Sequence, residues 1–361
     1  MLEKLTERLD GLLDIGIPYF DIIVMKDGKC IYRHKNGFLD PEKTKPVTGK
    51  EKYFIYSCTK VLTCTAALQL YERGLFSLDD ELSKFMPEFA EMKVLTKEGV
   101  RPAKRPILIR HLFNMTAGFG YNVNTPALLK CREETNGECP TREAMKYLAR
   151  GPLLFDPGEK WEYSLCHDVL AALVEVISGE TFGEYVKKNI FEPLGMSNSS
   201  FLSPDPASIV ANKYRCTDTG VREMEKKNEL VIGSKYECGG AGCISTVEDY
   251  IKFAEALCQG DVILKNETVE LMMQNQLDEK QILSFWEREL YGYGLGVRCP
   301  IGKGRLDFGW GGAAGAHFAV DRTNKISVFF ATHVRDFSST MAIARSTAIN
   351  QEIFLNPELK Y

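Results

Sequence analysis

The stretch FIYSCTKVLTCTAALQLYERG, residues 54–74, holds the reading on which the fold turns. It puts Ser57 three positions before Lys60, at the head of a run with helical apolar spacing. Val61, Cys64, Leu68 and Tyr71 fall on one helical face, and Gly74 supplies a C-terminal stop. Positions i and i+3 share a face, so Lys60 can reach the Ser57 hydroxyl if Ser57 sits in the first turn. A serine hydroxyl is a weak nucleophile until a base takes its proton. A buried lysine has a lowered pKa and can be that base near neutrality. First-turn N–H groups lack helical partners, so the Ser57 N–H can help to bind an oxyanion. A Ser-x-x-Lys tetrapeptide arises about once by chance in a chain of this length, so other residues must join it.

Two further stretches do. In FDPGEKWEYSLCHDVL (155–170), Tyr163 stands between the Pro157-Gly158 turn and a helix. A tyrosine whose pKa is lowered by a neighbouring cation, here Lys60, is a proton shuttle. In FGWGGAAGA (308–316), glycines in a strand let another backbone or a ligand come close. That strand edge offers an N–H near Ala313 as a second oxyanion donor, and Trp310 walls the pocket.

Around these stretches the chain reads as α+β. A helix is expected over about 2–14, then strands over 20–26 and 29–36 joined by the hairpin signal Asp27-Gly28. Residues 76–240 read as helix and loop, with a short helix in 107–120, a long surface loop over 119–140 and a helix within 163–179. Thr181 and Glu184 form a capping box for the helix that follows. Strands return over 305–312, 315–321 and 325–334, and a last helix covers about 337–354. Strands at both ends with helices between predict one antiparallel sheet built from both termini, flanked by helices, with a mostly helical region inserted. Residues 1–75 and 240–361 then form the sheet subdomain that carries the nucleophile helix. Residues 76–239 form the helical subdomain, and the active site lies in the cleft between them.

Composition narrows the function. The 361 residues carry a formal charge of -4 without a long Lys/Arg run, which argues against nucleic acid as a partner. Charges interrupt the leucines of MLEKLTERLDGLLD at helical spacing, so the start reads as an amphipathic helix and not a secretory signal. No stretch approaches the roughly 18 apolar residues of a membrane span. Eleven cysteines, an odd count without metal-ligand spacing, fit a reducing cytoplasm, and a cytoplasmic location is expected. His167 follows Cys166, but adjacent helical residues do not face each other, so they make no Cys–His pair. His317 can point into the cleft or to the opposite face. YGYGLG (291–296) lacks dinucleotide-loop spacing, and no G-x-S-x-G elbow is present.

Taken in order, the motifs resemble those of the serine β-lactamase and penicillin-binding-protein superfamily, nearest the class C-like branch that includes the family VIII carboxylesterases. The likeness rests on Ser57-Cys58-Thr59-Lys60, on Phe155-x-Pro157-Gly158 leading to Tyr163, and on Gly239-Gly240-Ala241-Gly242 before STVEDYIKFAEAL. IRHLFNMTAG (109–118) and NIFEPLGM (189–196) add to it. It spans about 17 to 350. Leu165 stands where the family commonly has an asparagine, and it cannot hydrogen-bond a substrate amide. Trp310-Gly311-Gly312 stands where the family commonly has K-T-G or H-x-G, which removes a cation for a lactam carboxylate. Both departures look like the esterase branch.

The resemblance implies a β-lactamase-like fold and a serine hydrolase that needs no metal or cofactor. Its partner would be a small-molecule ester. Ser57 would attack the ester, and Lys60 and Tyr163 would share the proton traffic, with the acylation base left open. The N–H groups of Ser57 and Ala313 would hold the oxyanion, and Trp310, Gly311, Gly312 and Leu165 would line the substrate site. The competing readings are a β-lactamase or D-amino-acid peptidase, an acyltransferase using the same acyl-enzyme, and a sensor that acylates and stalls.

Overall fold

Along Tyr19–Lys26 (β1), Phe20, Ile22 and Val24 point to one face and Tyr19 and Ile23 to the other. The first set packs on Leu5, Leu9 and Leu12 of helix α1 (Glu3–Asp14), so β1 is buried on both faces. The turn to Lys29–Gly37 (β2) has positive φ at both Asp27 and Gly28, the geometry that a two-residue hairpin favours. The computed structural model describes residues 2–203 and 205–360.

Five later strands complete an antiparallel sheet: β3 (Tyr291–Tyr293), β4 (Arg298–Pro300), β5 (Phe308–Gly311), β6 (His317–Asp321) and β7 (Ile326–Ala331). Their order is β2-β1-β7-β6-β5-β4-β3. β1 pairs with β7, with Asp21 opposite Ala331 and Lys26 opposite Ile326, so the two ends of the chain close one sheet as the sequence predicts. Helix α2 (Thr59–Glu72), helix α3 (Cys166–Ser178) and helix α4 (Val247–Gln259) belong to the larger core, where Tyr250 of α4 stacks on Phe329 at 4.2 Å. Helix α5 (Ser339–Ile349) joins α1 on the opposite face of the sheet.

Three expectations need correction. Helix α2 has no single apolar face: every residue from Thr59 to Leu68 is buried. Its polar side chains are used inside the core, where Thr63 Oγ1 donates to the Gly239 carbonyl (2.6 Å) and Thr59 Oγ1 accepts from Cys243 N–H (3.1 Å). The 119–140 segment is not all loop. Pro126–Glu134 is a helix capped by Thr125, whose hydroxyl oxygen accepts from Leu128 N–H, and it buries only Leu128 and Cys131. Two apolar anchors in nine residues were too few to show as periodicity.

The 325–334 strand is broken. β7 ends at Ala331, and Val334–Arg335 pairs instead with Lys213–Thr217, in a small sheet that also holds Gly220–Met224. All eleven cysteines are free thiols, and the nine buried ones fill core space as small apolar groups. No helix among the described residues is long and apolar enough to cross a membrane.

The predicted Thr181–Glu184 capping box forms at the start of the Phe182–Val186 helix. Two carboxylates take its next N–H groups: Glu175 from Phe182 (3.0 Å) and Glu237 from Gly183 (2.7 Å). Burial, reinforced by the Glu237 charge, pushes the Glu175 carboxyl up to about 7. Below the unfolded value both states are protonated and the group costs nothing. The stability it confers on the acid side is lost as pH rises through about 7. Glu175→Gln is therefore expected to stabilise the fold by about 1–2 kcal/mol at pH 8, a range reduced for partial exposure, and by nothing at pH 4. Denaturant unfolding at the two pH values checks this; an equal gain at both would refute it.

Candidate active site

The Ser57 turn begins with strain. Tyr56 has φ +46°, the left-handed region, which costs a side-chain-bearing residue about 1–3 kcal/mol unless its surroundings hold it. They do: the Tyr56 hydroxyl donates to Glu229 (2.9 Å), which also accepts from the fully buried Lys213 (2.7 Å). The Arg335 guanidinium lies over the Tyr56 ring at 4.8 Å and donates to the Ala313 carbonyl at 3.4 Å. One charged cluster thus fastens both the residue before Ser57 and the turn after β5.

Ser57 lies in the 3-10 turn Tyr56–Cys58 that leads into α2, two residues ahead of the helix proper. It is 5% exposed, and Lys60 is fully buried. Lys60 Nζ donates to the Gly240 carbonyl (2.7 Å), the Tyr121 hydroxyl (3.2 Å) and Ser57 Oγ (3.5 Å). Three acceptors match the three protons of an ammonium. It also sits 4.5 Å from the centre of the Tyr163 ring and 4.9 Å from that of Tyr121.

The expected lowering of the Lys60 pKa does not hold. Burial acts downward, but the Tyr121 and Tyr163 phenols and the Asp168 carboxylate together raise it above the ordinary lysine value. The sequence reading counted desolvation and had no view of the groups that oppose it.

Trp310 Nε1 donates to the Tyr163 hydroxyl oxygen at 3.3 Å, and the two rings stack at 5.7 Å. β4 pairs with β5 only at Arg298–Gly309. Cys58 Sγ donates to the Trp310 carbonyl (3.7 Å), and a Cβ on Gly312 would lie 2.3 Å from the Ile55 carbonyl oxygen. Only glycine at 312 lets these backbones touch, so Trp310 and Gly312, next to Ala313 in the chain, lie against the residues that flank Ser57. Gly311 is half-buried beside them and Ala313 is exposed. Leu165 is 2% exposed at the head of α3, its N–H donating to the Gly120 carbonyl, and its side chain belongs to the larger core.

The sequence reading missed Tyr121, Gly240 and Asp168 as members of this cluster. Tyr121 arrives through Gly118, which has φ +95° and whose Cβ would lie 2.5 Å from the Phe155 carbonyl oxygen. That contact, with Leu154 N–H to the Gly118 carbonyl, lays 118–121 along the Tyr163 loop and sets the two tyrosine rings 5.0 Å apart. The signal was Gly118-Phe119-Gly120-Tyr121, glycines ahead of an aromatic. Gly240 was flagged only within its motif. A Cβ there would fall 2.6 Å from Asp168 Oδ2 and 3.2 Å from Lys60 Nζ, so its glycine is needed for the carbonyl to reach the ammonium.

The two histidines lie apart from the chemistry. His167 meets Cys64 Sγ (3.5 Å) and the Phe113 carbonyl (3.2 Å), and burial with the Lys60 charge pushes it down to about 3. His317 shares its strand face with Ala319, which packs with α1 and α5, while Trp310 pairs with Phe318 on the other. A surface cavity of about 670 Å³, lined among others by Asp27, Glu255, Gln259 and Arg322, shares no residue with this cluster.

Known proteins with similar sequences include a lovastatin esterase of Penicillium rubens, 29% identical over 83% of this chain and 84% of its own length. Esterase EstB of Burkholderia gladioli is 25% identical over 96% of this chain and 95% of its own. Among solved structures, EstCE1, described as a hydrolase with promiscuous acyltransferase activity, superposes with a TM-score of 0.79 at 25% identity, covering 96% of this chain and 98% of its own. Simvastatin synthase of Aspergillus terreus, at 23% identity, shares the fold with a TM-score of 0.81 over 98% of both chains. The family model described as Beta-lactamase matches residues 5–349, and the chain belongs to the beta-lactamase family.

Proposed function

We propose that the protein is a serine carboxylesterase that works through an acyl-enzyme on Ser57. One observation carries the reading: Ser57 Oγ lies against a buried ammonium that is also tied to Gly240 and Tyr121 and packed on Tyr163. The esterase relatives support it.

The groups that raise the Lys60 pKa support one assignment of the proton roles that the sequence left open. In this assignment Lys60 stays an ammonium and a tyrosine oxygen is the base. Burial pushes Tyr121 up, so it keeps its proton, and Tyr163, which accepts from Trp310, is the base. Tyr163 takes the Ser57 proton as Oγ adds to the ester carbonyl. The N–H groups of Ser57 and Ala313 receive the oxyanion. The alcohol leaves with the proton returned through Tyr163. Water, deprotonated by the same oxygen, then releases the acid and frees Ser57. The cleft between the sheet region and the 76–239 insert would hold the ester, with Trp310, Gly311, Gly312 and Leu165 on its walls.

Acyl transfer to an alcohol in place of water is the second reading. It is favoured by the acyltransferase relatives, among them acyltransferase calJ of Penicillium decumbens, 28% identical over 79% of this chain and 76% of its own length. Turnover of p-nitrophenyl butyrate and a chromogenic cephalosporin, with and without added butanol, separates these. The esterase expectation is rapid butyrate release, little cephalosporin opening and little butyl butyrate. Rapid cephalosporin opening would overturn the ester preference, and butyl butyrate as the main product would establish the transferase.

A further inference from the structure

We propose that Trp286 forms an apolar subsite at the entrance to the Ser57 cleft and selects esters with a bulky aromatic or polycyclic group. This rests on the serine-esterase reading above.

Trp286 is 55% exposed, yet it heads a continuous run of rings that ends at the catalytic cluster. Its ring lies 4.6 Å from Trp161, 5.2 Å from Tyr163 and 6.1 Å from Trp310. Tyr163 in turn lies against Tyr121 and the Lys60 ammonium. Exposure falls along that path from Trp286 through Trp310 at 4% to Lys60 at 0%. The indole therefore stands where solvent meets the proton-transfer machinery.

Its display is built into the fold. The segment is pinned to the loop that carries Tyr163: Trp161 N–H donates to Ser284 Oγ (2.9 Å), and Gln281 Nε2 donates to the Gly158 carbonyl (2.9 Å). Phe285, fully buried, wedges against Trp161 (5.0 Å) and Tyr293 (5.6 Å). The residue before Trp286 is thus an anchor, and Trp286 cannot turn into the core without losing it. Leu283 and Leu290 on the same segment are 67% and 43% exposed, so the rim offers apolar surface beside the charged Glu287, Arg288 and Glu289. Three large apolar side chains within eight residues, held open beside a reactive tyrosine, are what a bulky apolar ligand group would cover.

Such a group can belong to the acid or to the alcohol of the ester, and the test distinguishes them. Wild type and Trp286→Ala are compared on ethyl acetate, 2-naphthyl acetate (bulky alcohol) and ethyl 2-naphthylacetate (bulky acid). The expected result is a fall of about tenfold or more in the kcat/KM ratio of one naphthyl ester to ethyl acetate, mostly through KM, with Trp286→Phe recovering part of it. The ester affected names the side. An equal loss on all three substrates would mean a structural role, and an unchanged ratio would mean no contact; either overturns the proposal. Calorimetric binding of the naphthyl esters to Ser57→Ala, with and without Trp286→Ala, reads the subsite without turnover. Retained binding of both esters in the double variant also overturns it. If turnover by wild type survives Ser57→Ala, the esterase reading itself fails, and the binding arm still decides Trp286.

Discussion

Replacing Ser57 with alanine is expected to lower kcat/KM for p-nitrophenyl butyrate by about 10⁴-fold or more, the scale seen when a covalent nucleophile is removed. The hydroxyl supplies the attacking oxygen, and nothing beside it in the cluster can take its place. Cys58, the next residue, is buried, and burial pushes its thiol up to about 12, so it does not ionise to substitute. The fold should survive, because the Ser57 hydroxyl enters the core only through a long 3.5 Å contact with Lys60. Steady-state kinetics and intact mass after mixing with substrate check this together. Wild type should carry a transient acyl adduct and Ser57→Ala none. An adduct that persists in the variant would place the nucleophile elsewhere.

Replacing Lys60 with methionine should cost about 10³-fold in kcat. In the proposed mechanism the ammonium is the cation packed on Tyr163 while that residue moves the proton, and a thioether cannot supply it. The change also leaves the Gly240 carbonyl and the Tyr121 hydroxyl without their donor, so the variant should lose about 1–3 kcal/mol of stability. The two losses are separable. Lys60→Arg keeps the charge, yet a planar guanidinium does not fit three acceptors spread around a compact ammonium, and it should stay at least about 10²-fold slow. If Lys60→Met kept its kcat and lost only stability, Lys60 would be a structural tie and the proton roles proposed for Tyr163 would fall with it.

These expectations started from Ser57 and Lys60, three positions apart in one short turn. Local spacing of that kind is legible because the helix repeat alone sets which side chains meet. The hairpin at Asp27-Gly28, the capping box at Thr181 and Glu184, and the sheet drawn from both ends were read in the same way, since turn chemistry and period-two alternation are local. The breaks in the reading have a common physical origin. The Pro126–Glu134 helix hides only Leu128 and Cys131, and the 325–334 strand divides because Val334 and Arg335 find their partner at Tyr214 and Arg215, over a hundred residues away.

The site divides along the same line. Sequence by itself carried the family resemblance and pointed to the trio of Ser57, Lys60 and Tyr163, because each is carried by a short motif of fixed spacing. Only the tertiary structure shows which groups bear on Lys60. They are Tyr121, Tyr163, Asp168 and the Gly240 carbonyl, which come from three separate stretches and meet only after folding. It alone placed Trp286 over Tyr163, because an aromatic contact at 5.2 Å between residues 123 positions apart leaves no periodic trace in the chain. A pKa and a subsite are sums over neighbours in space, and packing, not spacing, chooses those neighbours.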